Sequence, residues 1–185
     1  MKMRNFNAIQ QSLELAPFLE SANGDLYIRR EADGDRFLVR RFNRALAPSL
    51  TLAYARLLAE AQTWIERDSS LASLVRIEQP IEIGEDFLMR RFVGATSLAS
   101  FLNEDADDDP PEAPDELVPM QSLFRQLGAR AVSAQDILLV TVLARSLCEP
   151  TYKTIYSFHE ERFVVLDLKP TVNELEQFKT LMGAP

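Results

Sequence analysis

Residues 74–102 read LVRIEQPIEIGEDFLMRRFVGATSLASFL, and this stretch decides the fold. Two apolar runs, Leu74 to Ile77 and Phe87 to Met89, have strand composition, and Gly84-Glu85-Asp86 supplies a turn between them. Gly94 breaks the run, and Ser97 is placed to cap a helix carrying Leu98, Phe101 and Leu102. The pattern predicts strand, turn, strand, a short extended segment and a helix start.

Working upstream, residues 35–42 (DRFLVRRF) form another strand candidate, preceded by the turn Ala32-Asp33-Gly34. After Pro48, Ser49 is a helix cap, and a long helix follows to about residue 67. On it Tyr54, Leu57, Leu58, Ala61, Trp64 and Ile65 recur at the spacing of one buried face. Trp64 is expected in the core between this helix and the strands, near Leu57, Leu58 and Phe87. Glu60 lies beside the stripe, one turn before Trp64.

This order of strand, Glu-bearing helix, strand, strand and short link resembles the small lobe of a protein kinase. The resemblance makes residues 74–102 the fourth and fifth strands, the hinge and the following helix. In that family the region forms one wall of the nucleotide pocket, so Met89 and Arg90 become pocket candidates. It also puts Arg40 of Phe-Leu-Val-Arg where the third strand carries a phosphate-holding lysine. Arginine keeps the charge, but its planar fork is a different ligand. Read as a residue alone, Arg40 is more simply a strand arginine facing solvent; the flanking matches bring the two readings level. Glu60 matches the helix glutamate that pairs with that lysine, so the resemblance implies a Glu60–Arg40 contact; the plain alternative is a solvated helix-flank carboxylate.

Residues 19–27 (LESANGDLY) fall where the glycine-rich loop of the family belongs. Gly24 matches the last of its three glycines. The other two are replaced by bulkier residues, so backbone amides would cradle a triphosphate poorly.

Only about eighty residues follow Leu102, too few for a full kinase large lobe. Ala134 to Leu147 is apolar and helix-length, with Asp136 in its first turn and Arg145 in its last, both suited to the helix dipole. Residues 152–158 and 162–167 read as a hairpin around His159-Glu160-Glu161. Asp167-Leu168-Lys169-Pro170 invites comparison with the family's catalytic loop, but Val165 and Leu166 stand where His and Arg belong. The other alignment makes Asp167 the metal-binding aspartate, with Leu168-Lys169 replacing Phe-Gly. Either way one of two required aspartates is missing. A short helix around Leu175, Phe178 and Leu181 completes the chain.

A single cysteine, Cys148, excludes an internal disulfide framework and reads as a buried structural thiol. The single His159 sits in a turn with no partner motif. No apolar run is long enough to span a bilayer and none reads as a signal peptide, so a cytoplasmic protein without membrane partners is expected.

The net charge of −8 has one local origin: residues 104–116, EDADDDPPEAPDE, hold eight acids and no base. Removing them leaves twenty acids against twenty Lys plus Arg. The prolines and like charges predict a solvated linker. Its acids lack the spacing, glycine and glutamate of an EF-hand, so calcium is not expected. With no basic face, nucleic acid is not an expected partner either.

The expected fold class is α+β: an antiparallel sheet with one packed helix over residues 1–103, the linker 104–116, and a reduced, mostly helical lobe with one hairpin over 117–185. The functional expectation is a catalytically inactive, pseudokinase-like binding or regulatory protein whose partner is another protein, with no cofactor and no metal. Two alternatives stay open. One is a small divergent phosphotransferase using ATP and Mg²⁺, with Arg40, Glu60 and Asp167 as its site; the other is an acidic chaperone or adaptor of unrelated α+β fold.

Overall fold

The computed structural model describes residues 4–10, 15–19, 24–30, 36–42, 49–92, 96–102 and 112–183. The expected glycine-loop residues 20–23, the turn at 32–34, Gly94 and the acidic residues 104–111 lie outside them. The chain divides into two units that interleave along the sequence. The first holds residues 1–57, 78–92 and 171–185; the second holds 58–77 and 93–170.

The first unit is built on a five-stranded antiparallel sheet. Its strands are β1 (Leu15–Leu19), β2 (Gly24–Arg30), β3 (Arg36–Phe42), β5 (Glu82–Ile83) and β6 (Phe87–Arg91), in the spatial order β1-β2-β3-β6-β5. Pro17 sits in β1 at the sheet edge, where a missing amide hydrogen breaks no central ladder. β3 lies at the centre, and four successive residues, Phe37 to Arg40, are buried. Alternating side chains point to opposite faces, so such a run means that both faces are covered. On one face Phe37, Val39, Phe87 and Met89 pack with Phe6 and Ile9 of the five-residue helix α1 (Phe6–Gln10). On the other, Arg40 and Arg90 meet Tyr54 from the first half of α2 (Ser49–Glu66). The helix α7 (Val172–Leu181) belongs to this unit and begins with a capping box between Thr171 and Glu174.

The turn Gly84-Glu85-Asp86 forms as expected, but its two arms differ from the expected pair. The strand paired with β6 across it is Glu82–Ile83, not Leu74–Ile77. Leu74 ends the helix α3 (Ser69–Leu74), and β4 (Val75–Ile77) runs parallel to a strand of the second unit. Pro80 stands between the two segments and separates one strand path from the other.

In the second unit the predicted hairpin is present as β8 (Thr154–Ser157) and β9 (Arg162–Val165). It is the middle of a four-stranded sheet, ordered β4-β9-β8-β7, with β7 at Thr96–Ser97. Glu161 in the hairpin turn has φ 52°, the left-handed region. Around the sheet lie α3, α4 (Leu98–Leu102), α5 (Leu117–Gly128) and α6 (Ala134–Leu147). Trp64 is buried, as its place on the apolar stripe requires. It meets the Phe124 ring of α5 edge-on at 5.8 Å, within this unit's core. Ser133 caps α6 through the Asp136 amide, and Arg67 pairs with the Asp136 carboxylate at 2.8 Å. Among the described residues no helix is long and apolar enough to cross a membrane.

Candidate functional site

Of the residues singled out by sequence, Gly24, Arg40, Met89 and Arg90 belong to the first unit and Glu60 and Asp167 to the second. Arg40 and Arg90 share the α2 face of the first sheet. β3 and β6 pair Arg40 with Leu88 and Leu38 with Arg90, so the two guanidiniums stand one step apart on adjacent strands. Both are buried, at 3 % and 0 % exposure, which excludes the solvent-facing alternative for Arg40. The Arg40 guanidinium lies 4.7 Å from the centre of the Tyr54 ring and 5.2 Å from that of Phe42. Its Nη1 also donates to the Tyr54 hydroxyl at 3.5 Å. Arg90 is 5.8 Å from the same ring. Aromatic faces attract such cations, the more so when water is excluded.

Met89 is adjacent to Arg90 in sequence and therefore on the opposite face, in the cluster capped by α1. Gly24 opens β2 and is paired with Phe42, two residues beyond Arg40. Glu60 belongs to the second unit, where its carboxylate accepts from the Gln135 side chain of α6 at 3.3 Å.

Asp167 lies just past β9 in the second unit, at 0 % exposure. The Lys153 ammonium, itself buried, stands 3.0 Å from its carboxylate. Lys153 precedes β8, and its carbonyl accepts from the Leu166 amide, which extends the hairpin ladder by one step and brings residue 153 beside 167. The Thr151 hydroxyl accepts from the Lys153 amide, and Thr154 donates to the Ser146 carbonyl next to it. Sequence reading passed over Lys153. The hairpin register, with Thr154 opposite Val165, brings the chain at residue 153 near residue 167, but a regular ladder gives Lys153 the face of Leu166; Asp167 meets it because it lies past the end of β9, so the contact carried no signal in the sequence.

Glu160, Tyr156 and Cys148 are among the groups with altered affinities for protons. Glu160, in the hairpin turn, is held down to about 2 by hydrogen bonds from Arg76 of β4 and then from Arg162. Tyr156 is pushed up to about 12 by burial, then by its hydrogen bond to Glu116. Burial also pushes the Cys148 thiol up, the behaviour of a structural rather than a reactive cysteine. His159 is exposed in the turn. Among the described residues no three His, Cys, Asp or Glu side chains cluster as a metal site.

No family model matches the chain, and no curated protein does. Solved structures do match, at low identity. A macrolide 2′-phosphotransferase of Brachybacterium faecium is 14 % identical, with 97 % of this chain and 82 % of that one covered and a TM-score of 0.40. A putative fructosamine-3-kinase of Thermobifida fusca is 14 % identical over 97 % and 84 % of the two chains, with a TM-score of 0.41. The kinase domain of a maize sucrose-induced receptor kinase is 13 % identical over 94 % of this chain and 58 % of its own, with a TM-score of 0.42.

Proposed function

We propose that this chain is a kinase-like binding or regulatory protein that acts through contact with another protein and transfers no phosphate. The observation that carries the reading is the Lys153–Asp167 pair. Phosphoryl transfer in kinases depends on metal ions held by carboxylates, which neutralise charge developing on the phosphate. Here Asp167, the aspartate that the resemblance offers for that task, is fully buried and has a cation, the Lys153 ammonium, against it. The arrangement does not fit a divalent ion, which needs oxygen ligands on several sides. Arg40 supports the same reading. A phosphate-holding cation must present its donors to the ligand, whereas this guanidinium lies against the rings of Tyr54 and Phe42.

The test is a pair of measurements on the intact chain. Thermal unfolding with ATP, alone and with Mg²⁺ or Mn²⁺, is expected to show no shift; a ligand at one hundred times its Kd would add about 2.7 kcal/mol. Incubation with γ-labelled ATP and a generic acceptor is expected to transfer no label. Transfer that disappears in Asp167→Asn would overturn the proposal in favour of a divergent ATP- and Mg²⁺-dependent phosphotransferase.

A further inference from the structure

The turn between β5 and β6 reads the backbone of another segment. Residues 4–10 lie against it, and each turn residue contributes one feature. Gly84 leaves room for the Arg4 carbonyl: a Cβ there would come within 2.7 Å of that oxygen and into the Phe87 ring. Glu85 donates its amide to the same carbonyl at 2.8 Å. Asp86, buried, accepts from the Phe6 amide at 2.6 Å, so the first turn of α1 receives its cap from a residue eighty positions away. On β5, Glu82 takes the Arg4 guanidinium in a two-pronged ion pair, with Nε at 2.9 Å.

Apolar recognition follows in the next turn of the segment. Phe6 and Ile9, at i and i+3 on α1, are fully buried against Phe37, Val39, Phe87 and Met89, and the Phe6 ring lies 5.0 Å from that of Tyr27. Asn5, Asn7 and Gln10 are exposed. A five-residue helix has no stability of its own in water, so α1 is helical because the groove makes it so. The division of labour is that of a peptide and its receptor. The segment brings one cation and two anchors; the sheet supplies the acidic clamp, the helix cap and the apolar trough.

We infer that this groove is a docking site for a short helix-forming segment of a partner protein, and that residues 4–10 are its built-in occupant, which the partner displaces. The ligand chemistry is read from that occupant. A basic residue stands two positions before an aromatic, the helix starts at the aromatic, and a branched aliphatic follows three positions later. Glu82, Glu85 and Asp86 put negative charge at the Arg4 end of the groove, while Arg41 of β3 lies 4.7 Å from the Phe6 ring, so the salt-sensitive part of binding is the Arg4 clamp. This site is independent of whether the chain binds nucleotide.

A fluorescein-labelled peptide covering residues 2–12 (KMRNFNAIQQS) is titrated into the full chain and into Phe6→Ala/Ile9→Ala, which weakens the occupant and leaves the groove intact. The double variant is expected to bind the peptide about tenfold or more tightly than the parent, because its groove is open for a larger fraction of the time. Adding Glu82→Lys should weaken binding by roughly tenfold, and a peptide carrying Arg4→Glu should recover it. A variant that melts cooperatively yet fails to bind at about 1 mM peptide would overturn the inference. If the variant loses its cooperative melt, peptide that restores it supports the inference, and peptide that does not makes α1 plain core. Dimers of the parent that become monomers in Phe6→Ala/Ile9→Ala would overturn the assignment to a foreign partner and give the groove to a second copy.

Discussion

Lys153→Met is the most informative single substitution in this protein. The ammonium is 5 % exposed and the carboxylate it faces is 0 % exposed, at 3.0 Å. At an effective dielectric of about 20, two unit charges at that distance attract by about 5–6 kcal/mol. Burial has already taken hydration from both groups, so the net worth of the pair is smaller than this attraction. Removing one partner is a different matter, because it leaves a buried carboxylate with its main counter-charge gone. That change costs about 3–5 kcal/mol, a large part of the 5–15 kcal/mol that holds a typical domain folded. For a chain of this length the melting point should fall by roughly 6–20 °C.

The assay is urea unfolding of four proteins: the parent, Lys153→Met, Asp167→Leu and the double variant. The midpoint should drop strongly in each single variant at unchanged slope. In the double variant, with both charges replaced by apolar groups of similar length, most of the loss should return, and the product is at or above the parent's stability. The pairwise coupling is then several kcal/mol. Single variants that each cost less than about 1 kcal/mol and simply add would refute the reasoning, because exposed pairs behave that way. Restored stability with no gain of phosphotransfer would also separate folding from chemistry at this position.

Gly84→Ala should cost about 1–3 kcal/mol, since the added methyl meets the Phe87 ring and the Arg4 carbonyl; thermal unfolding measures it. Glu160→Gln should cost about 1 kcal/mol at neutral pH by removing the carboxylate shared by Arg76 and Arg162. The pH dependence has a definite sign. The folded-state affinity of Glu160 for its proton is depressed from 4.5 to about 2, so its contribution is full above about 4.5 and is lost as pH falls toward 2. Parent and Glu160→Gln should therefore converge in stability across that window. Trp64→Phe should cost less than Trp64→Ala, which removes about 3–5 kcal/mol; intrinsic fluorescence of the parent, with one tryptophan, follows the loss of the Trp64 surroundings on unfolding.

Elements that carry their own period were legible in the sequence. α2 was readable because six apolar residues fall on one face over about three turns, and the β8–β9 hairpin because two β-rich runs flank a polar turn. Elements held by distant partners were not. β4 is an apolar run like any strand, but its partner β9 lies nearly ninety residues on and parallel, and a parallel pair leaves no turn signal. The local rule joined it to the nearest strand instead. α1 is too short to show a period, and its cap is Asp86. Lys153 carries no local pattern of its own, and its contact with Asp167 depends on the chain path past the end of β9.

Of the pocket candidates Gly24, Arg40, Glu60, Met89, Arg90 and Asp167, the neighbours Met89 and Arg90 point to opposite faces of the first sheet from β6. What the sequence could not supply is the cover on each face: the first half of α2 through Tyr54 on the Arg90 side, α1 through Phe6 and Ile9 on the Met89 side. The two faces can be tested separately. In the Phe6→Ala/Ile9→Ala background, Met89→Ala removes part of the trough floor and should weaken the residue 2–12 peptide by roughly tenfold or more, the equivalent of about 1.4 kcal/mol or more of lost contact. Arg90→Met alters the opposite face, keeps the length of the side chain, and should leave peptide affinity within about twofold while changing stability. Equal losses of peptide affinity from the two substitutions would mean that the sheet does not separate the faces, and the groove would have to be redrawn.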